Sequence, residues 1–254
     1  MSSTSEELAK NLAHVRRRID QAASRAGRSA DEITLIAVTK THSAQNIEAL
    51  YEAGARHFGE NRVQERESKL PQLAGINATW HMIGHLQKNK AARATRLFNS
   101  VDSGDSAALA EKLDRAMAEL IAETDEGAAQ SSGSQAFGPP NRLRVLIEVK
   151  LDPEPAKSGV AAEGVQRLAE AILQMPHLDL KGLMGVPPYF AHPEEARPYF
   201  SHLREIRDEV RARAGTELLP VLSMGMSHDF EIAIEEGATE IRVGTALFGD
   251  RDKA

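Results

Sequence analysis

LSMGMSHDFEIAIEEGATEIRVGTALFG, residues 222–249, is the stretch whose reading decides the fold. It reads as a strand, a turn of small residues, a short helix at 230–235, the strand TEIRVG and a second small-residue turn. Two strands joined by a helix make a parallel βαβ unit, because parallel strands need a long crossover and a helix usually supplies it.

Outward from this stretch the same unit recurs. LLPVLSMG, a seventh strand, is preceded by LKGLMGV, RLRVLIEVK at 142–150, RLFNSVDS, ATWHMIG, ARHFG and ITLIAVTK, with strand one at 33–39. The last of these is apolar without alternation, as in a strand covered on both faces. Helices are expected between them at 44–52, 63–70 (stopped by Pro71), 86–95, 107–122, 164–174 and 194–214. Eight strands alternating with helices predict an α/β fold, a single (β/α)8 TIM-type barrel, which takes about 250 residues; the chain has 254. An open doubly wound sheet competes. Closure is favoured because nothing helical is expected after strand eight. An amphipathic helix at 5–26, with Leu8, Leu12, Val15 and Ile19 on one face, can then complete the outer ring. Residues 124–141, rich in Gly, Ser, Ala and Pro, are expected to form a flexible loop within one domain spanning 1–254.

Composition narrows the function. A net charge of −6 argues against nucleic acid as a partner. The absence of cysteine excludes disulfides and thiol chemistry. The polar start, MSSTSEELAKNLAHVRRRID, has no apolar signal core, and no run approaches the ~20 apolar residues of a membrane span. A cytoplasmic monomer without a membrane partner is the expectation.

Active sites of such barrels lie at the C-terminal ends of the strands. Strand one ends in Lys40. A lysine there is either a partly desolvated amine, available to form a Schiff base with an aldehyde, or a solvated rim residue. Strand two leads to Asn61, a helix N-cap or a residue of the mouth, and strand three leads to Ile83. Strands seven and eight lead to Ser223-Met224-Gly225 and to Gly244-Thr245. Loops in these two places form the common phosphate site of the fold, and small residues let backbone N–H groups approach an anion; plain turn chemistry is the other reading. Arg242, inside strand eight, either faces the barrel interior and a ligand or points outward to pair with Glu240 or a helix carboxylate. His81 and His85 have neither cysteine nor a neighbouring carboxylate in sequence, so a metal site is not expected.

AVTKTHS at Ala37, HFGENRVQE at His57, WHMIGHLQKNK at Trp80, KSGV at Lys157, GLMGVPP at Gly182 and the opening stretch occur in one order along nearly the whole chain. Together they resemble the pyridoxal phosphate homeostasis proteins, a barrel family related to the N-terminal domain of alanine racemase. The resemblance implies pyridoxal 5′-phosphate (PLP) as cofactor, with Lys40 forming the internal aldimine and Asn61 near the cofactor ring. It implies Ile83 among the cofactor contacts, a phosphate cradle of Ser223, Gly244 and Thr245 with Met224-Gly225 in the same turn, and Arg242 facing the pyridine nitrogen. It also implies a carrier that maintains the PLP pool, with PLP-dependent apoenzymes as recipients. The alternative is a PLP-dependent amino-acid racemase or related enzyme. Against it, the chain leaves no room for a second domain, and Tyr51, Tyr189 and Tyr199 fall in no matching motif. His228 and the proline-rich KLDPEPAKSGV depart from the family pattern.

Overall fold

The computed structural model describes residues 4–128, 142–152, 154, 157–215 and 218–249, without the side chains of 125–128 and 214. Helix α1 (Ser5–Arg25) opens with a capping box: Thr4 Oγ1 accepts the Glu7 N–H, and the Glu7 carboxylate accepts the Thr4 N–H. Two otherwise orphaned donors are thereby satisfied.

Strand and helix then alternate: β1 (Thr34–Val38), α2 (Ala44–Glu52), β2 (His57–Glu60), α3 (Val63–Lys69), β3 (Thr79–Met82), α4 (Ala91–Leu97), β4 (Ser100–Gly104) and α5 (Ala107–Ala128). The second half follows as β5 (Leu143–Val149), α6 (Ala162–Leu173), β6 (Leu178–Gly185), α7 (Arg197–Ala214), β7 (Val221–Met226), α8 (Phe230–Glu235), β8 (Glu240–Val243) and α9 (Thr245–Phe248). All eight strands are parallel, in sequential order, and the sheet is closed: β8 pairs with β1, Ile36 opposite Arg242. The open-sheet alternative is thus excluded.

Three local expectations are corrected. A short helix, α9, does follow β8: the Gly244 carbonyl accepts the N–H groups of Leu247 and Phe248, whose side chains are buried. Asn11 Nδ2 of α1 donates to the Leu247 carbonyl at 2.8 Å, so α1 completes the outer ring with α9 beside it. Residues 96–97, expected to open the fourth strand, are the last turn of α4, which ends where Phe98 turns extended. Helix α5 runs to Ala128 rather than stopping at 122; Thr124 Oγ1 bonds back to the Leu120 carbonyl. Residues 129–141 of the expected loop lie outside the described residues.

The apolar core lies between strands and helices. Phe58 stacks on Trp80 there with ring centroids 5.3 Å apart, and Leu222, Met224, Ile241 and Val243 face the helices. The strand residues of opposite phase point into the barrel. Most barrels of this kind fill that space with Val, Ile and Leu. Here His81, Ser100, Asp102, Ser223, Glu240 and Arg242 are buried polar residues of the strands.

Candidate functional site

The amine of Lys40 is placed by the residues around it. Thr39, fully buried, donates its N–H to the Gly59 carbonyl and its hydroxyl to Glu60 Oε1 at 2.8 Å. Lys69 Nζ, reaching up from α3, donates to the Thr39 carbonyl at 2.8 Å and to Glu60 Oε1 at 2.7 Å. Burial pushes the Glu60 carboxyl up, and the Lys69 ammonium pulls it back. On the other side, Thr41 is held at φ 67°, a conformation costly for a β-branched residue. Lys40 therefore leaves β1 between a clamped residue and a forced turn.

Lys40 opens onto a cavity of about 700 Å³ at the C-terminal end of the barrel, within the usual size range of small-molecule sites. Asn61, Ile83, Arg242, Gly244 and Thr245 line the same cavity. Asn61 is not the N-cap of α3, since Arg62 holds that position. Ser223, Met224 and Gly225 do not line it. Met224 packs in the outer core. Gly225 sits at φ +92° against α8, where an added Cβ would come within 2.6 Å of the Ala233 Cβ and 2.9 Å of the Phe230 Cα. The register between β7 and β8 shifts between Ser223 and Met226. The hydroxyl from this loop that reaches the cavity is four residues on, at Ser227, whose Oγ accepts the N–H groups of Gly244 and Ala246 at 3.2 Å each.

Arg242 points inward. Its guanidinium donates to Ser223 Oγ at 2.7 Å and to the Gly185 carbonyl at 2.9 Å. The outward pairing with Glu240 does not occur; Glu240 takes Arg144 instead. Burial lowers the Arg242 pKa, and Asp102, Glu148, Glu240 and Asp229 oppose that shift. An arginine so surrounded stays cationic.

Beneath it a polar chain crosses the barrel. His57 Nδ1 lies 3.1 Å from His81 Nε2, and His81 Nδ1 lies 3.0 Å from Asp102 Oδ2, which Ser100 also supports through the other carboxylate oxygen. His81, Asp102 and Glu240 bring ligand-type atoms within 4.8 Å of one another. Both His81 nitrogens are engaged, however, and Arg144 neutralises Glu240. The trio is tied into a hydrogen-bonded and ion-paired network with His57, Ser100 and Arg144. The histidines do have carboxylate neighbours, contrary to expectation: Asp102 for His81, and Asp105 at 3.2 Å for His85 on the rim.

Several cavity residues had no signal in the sequence. Glu148 comes from β5, and Tyr189 from the loop after β6. Tyr189 is 80% exposed and stacks on His228 with ring centroids 5.4 Å apart. Only the departure at His228 marked this rim.

A family described as alanine racemase, N-terminal domain, matches residues 10–252. The chain belongs to this family. A relative from Aquifex aeolicus, named pyridoxal phosphate homeostasis protein, is 40% identical over 240 residues, covering 94% of this chain and 96% of its own. The solved structure of PipY from Synechococcus elongatus, with PLP bound, is 36% identical with a TM-score of 0.78, covering 95% of this chain and all of PipY. Alanine racemase from Corynebacterium glutamicum shares the fold at 18% identity and a TM-score of 0.65, with 96% of this chain matched to 60% of the enzyme.

Proposed function

We propose that this protein binds pyridoxal 5′-phosphate through Lys40 and holds it for the cell's PLP pool. The observation that carries the reading is the shared cavity of Lys40, Arg242 and the Ser227/Gly244/Thr245 turn region. The donor set fits the cofactor: an amine for its aldehyde, a fixed cation for its ring nitrogen, and the hydroxyls of Ser227 and Thr245 for its phosphate. When bound, PLP supplies an aldehyde that amines capture and an electron-poor ring. Arg242 accepts no proton and donates none, so a ring nitrogen facing it stays unprotonated and the ring is a weaker electron sink. That favours holding over turnover, as does the near-full-length relative named for homeostasis.

Asn61 and Ile83 are assigned to the cofactor contacts. Ser223, Met224 and Gly225 are assigned to support: Ser223 fixes Arg242, and the other two seat the loop against α8. We read the chain as one domain and as a cytoplasmic monomer, with PLP-dependent apoenzymes as recipients.

The test is the absorption spectrum of protein incubated with PLP, before and after borohydride reduction, with peptide mapping of the reduced adduct. A yellow protein with its adduct on Lys40 supports the reading. A protein that stays colourless, or an adduct elsewhere, overturns it.

A further inference from the structure

Glu148 is a half-buried carboxyl with no part in the proposed cofactor contacts. It stands near the end of β5, and Lys40 follows β1; in a closed barrel of eight sequential strands these are four strands apart in either direction. The two side chains therefore enter the same cavity from opposite walls. Glu148 Oε1 accepts the Ser158 hydroxyl at 3.0 Å. Its Oε2 is buried and has no hydrogen-bond partner among the described residues. A carboxylate left half-satisfied in this way is costly, whereas a carboxylic acid is less so and has a proton to give.

We propose that Glu148 is the proton-holding residue that serves capture and release of an aldehyde at Lys40. This rests on the PLP reading above. When an amine condenses with an aldehyde, a C=N bond replaces C=O, the nitrogen loses two protons, and the oxygen leaves as water with both. One proton moves when the C–N bond forms. The second must reach the hydroxyl as the C–O bond breaks, while the nitrogen sheds its own. Protonated Glu148 delivers that proton and recovers the one the nitrogen loses, so it ends as it began. In release, its carboxylate form takes a proton from water as the oxygen adds and the sequence runs backwards. No oxidant or reductant is needed.

The surroundings set its proton affinity. Burial raises the Glu148 pKa first; Ser158 from the following loop and Arg242 from β8 lower it; Asp105 after β4 raises it, and His85 after β3 lowers it. The balance lies above the ordinary glutamate value, which favours the protonated form.

Two measurements test this. In the PLP-free protein, ¹³C NMR of labelled glutamate carboxyls, assigned by loss of one signal in Glu148→Gln, should show Glu148 titrating above about 4.3. Stopped-flow absorbance should then show that Glu148→Gln slows both PLP capture and its release to hydroxylamine by roughly 100-fold or more. The pH dependence of capture should lose the step belonging to this carboxyl, and Glu148→Asp should recover part of the rate. A Glu148 that titrates at or below the ordinary value overturns the inference. So do variant rates equal to wild type across pH, in a wild-type protein that does load at Lys40; the PLP reading then survives. Wild-type protein that takes up no PLP overturns the cofactor reading and this inference with it.

Discussion

The Ser223 hydroxyl accepts a hydrogen bond from Arg242 Nη1 at 2.7 Å, across the seam between β7 and β8 and inside the barrel. Among the described residues the same guanidinium also donates to the Gly185 carbonyl at 2.9 Å. A serine that reads in sequence as a phosphate ligand is thus the residue that aims the cation beneath the cavity.

Replacing that hydroxyl leaves a buried N–H of Arg242 without an acceptor. Ser223→Ala should cost about 1–3 kcal/mol of stability, measured by urea unfolding. It should also change the spectrum of the PLP-loaded protein, because Arg242 loses its fixed position. A Ser227→Ala variant should weaken PLP binding and cost less stability, because its half-buried site lets water accept from the Gly244 and Ala246 N–H groups. Equal effects of the two variants on both readouts would contradict this division of roles.

Lys40→Ala should abolish the borohydride-trapped adduct while the barrel keeps its fold. A lysine on the rim is half-exposed and its loss should change stability by less than ~1 kcal/mol. Circular dichroism and thermal unfolding check the fold, and mass spectrometry checks the adduct.

His57 makes stability depend on pH. Burial pushes its pKa down to about 4, helped by His81 and Arg144 and opposed by Asp102. The ordinary value is 6.5, so in acid the unfolded chain binds the proton before the folded one does. The stability due to a neutral His57 is present above about 6.5 and is lost as pH falls towards about 4. The linkage slope for one proton is at most ~1.4 kcal/mol per pH unit, and partial exposure of the ring reduces it. His57→Gln should flatten the unfolding free energy between these pH values relative to wild type. Parallel curves would place the proton uptake elsewhere.

The reach of sequence reading has a physical basis here. Apolar runs and helical periodicity locate all eight strands and the intervening helices, since burial on both faces leaves a strong signal. Lys40, Asn61, Ile83, Arg242, Gly244 and Thr245 were reachable because a strand's C-terminal end fixes a position in the barrel. What failed depends on phase and register. Ser223 bonds Arg242 inside the barrel, while Ser227, beyond the register shift between β7 and β8, lines the cavity. His57, His81, Asp102, Arg144 and Glu240 each resemble a surface charge in sequence, and only barrel closure brings them together. Glu148 alternates with apolar neighbours as an outward residue also would. Helix α9 is a single turn, too short for any periodic signal.

Glu60 and Lys69 hold the residue before Lys40, and the pair is buried: the Glu60 side chain is fully inaccessible and that of Lys69 is 11% exposed. Removing one partner of such a pair strands the other. Lys69→Met should therefore cost about 3–5 kcal/mol, as Glu60 loses its cation and the Thr39 carbonyl loses a donor. Glu60 already has its pKa raised by burial, opposed by Lys69, so this variant should raise it further and lose stability as pH rises. Glu60→Gln combined with Lys69→Met removes the stranded charge and should recover much of the loss, giving strongly non-additive energies in a double-mutant cycle. Because Lys69 also bonds the Thr39 carbonyl directly, the double variant should still load PLP more slowly than wild type. Recovery of stability without recovery of loading rate would assign Lys69 to positioning Lys40, whereas recovery of both would make the pair structural only.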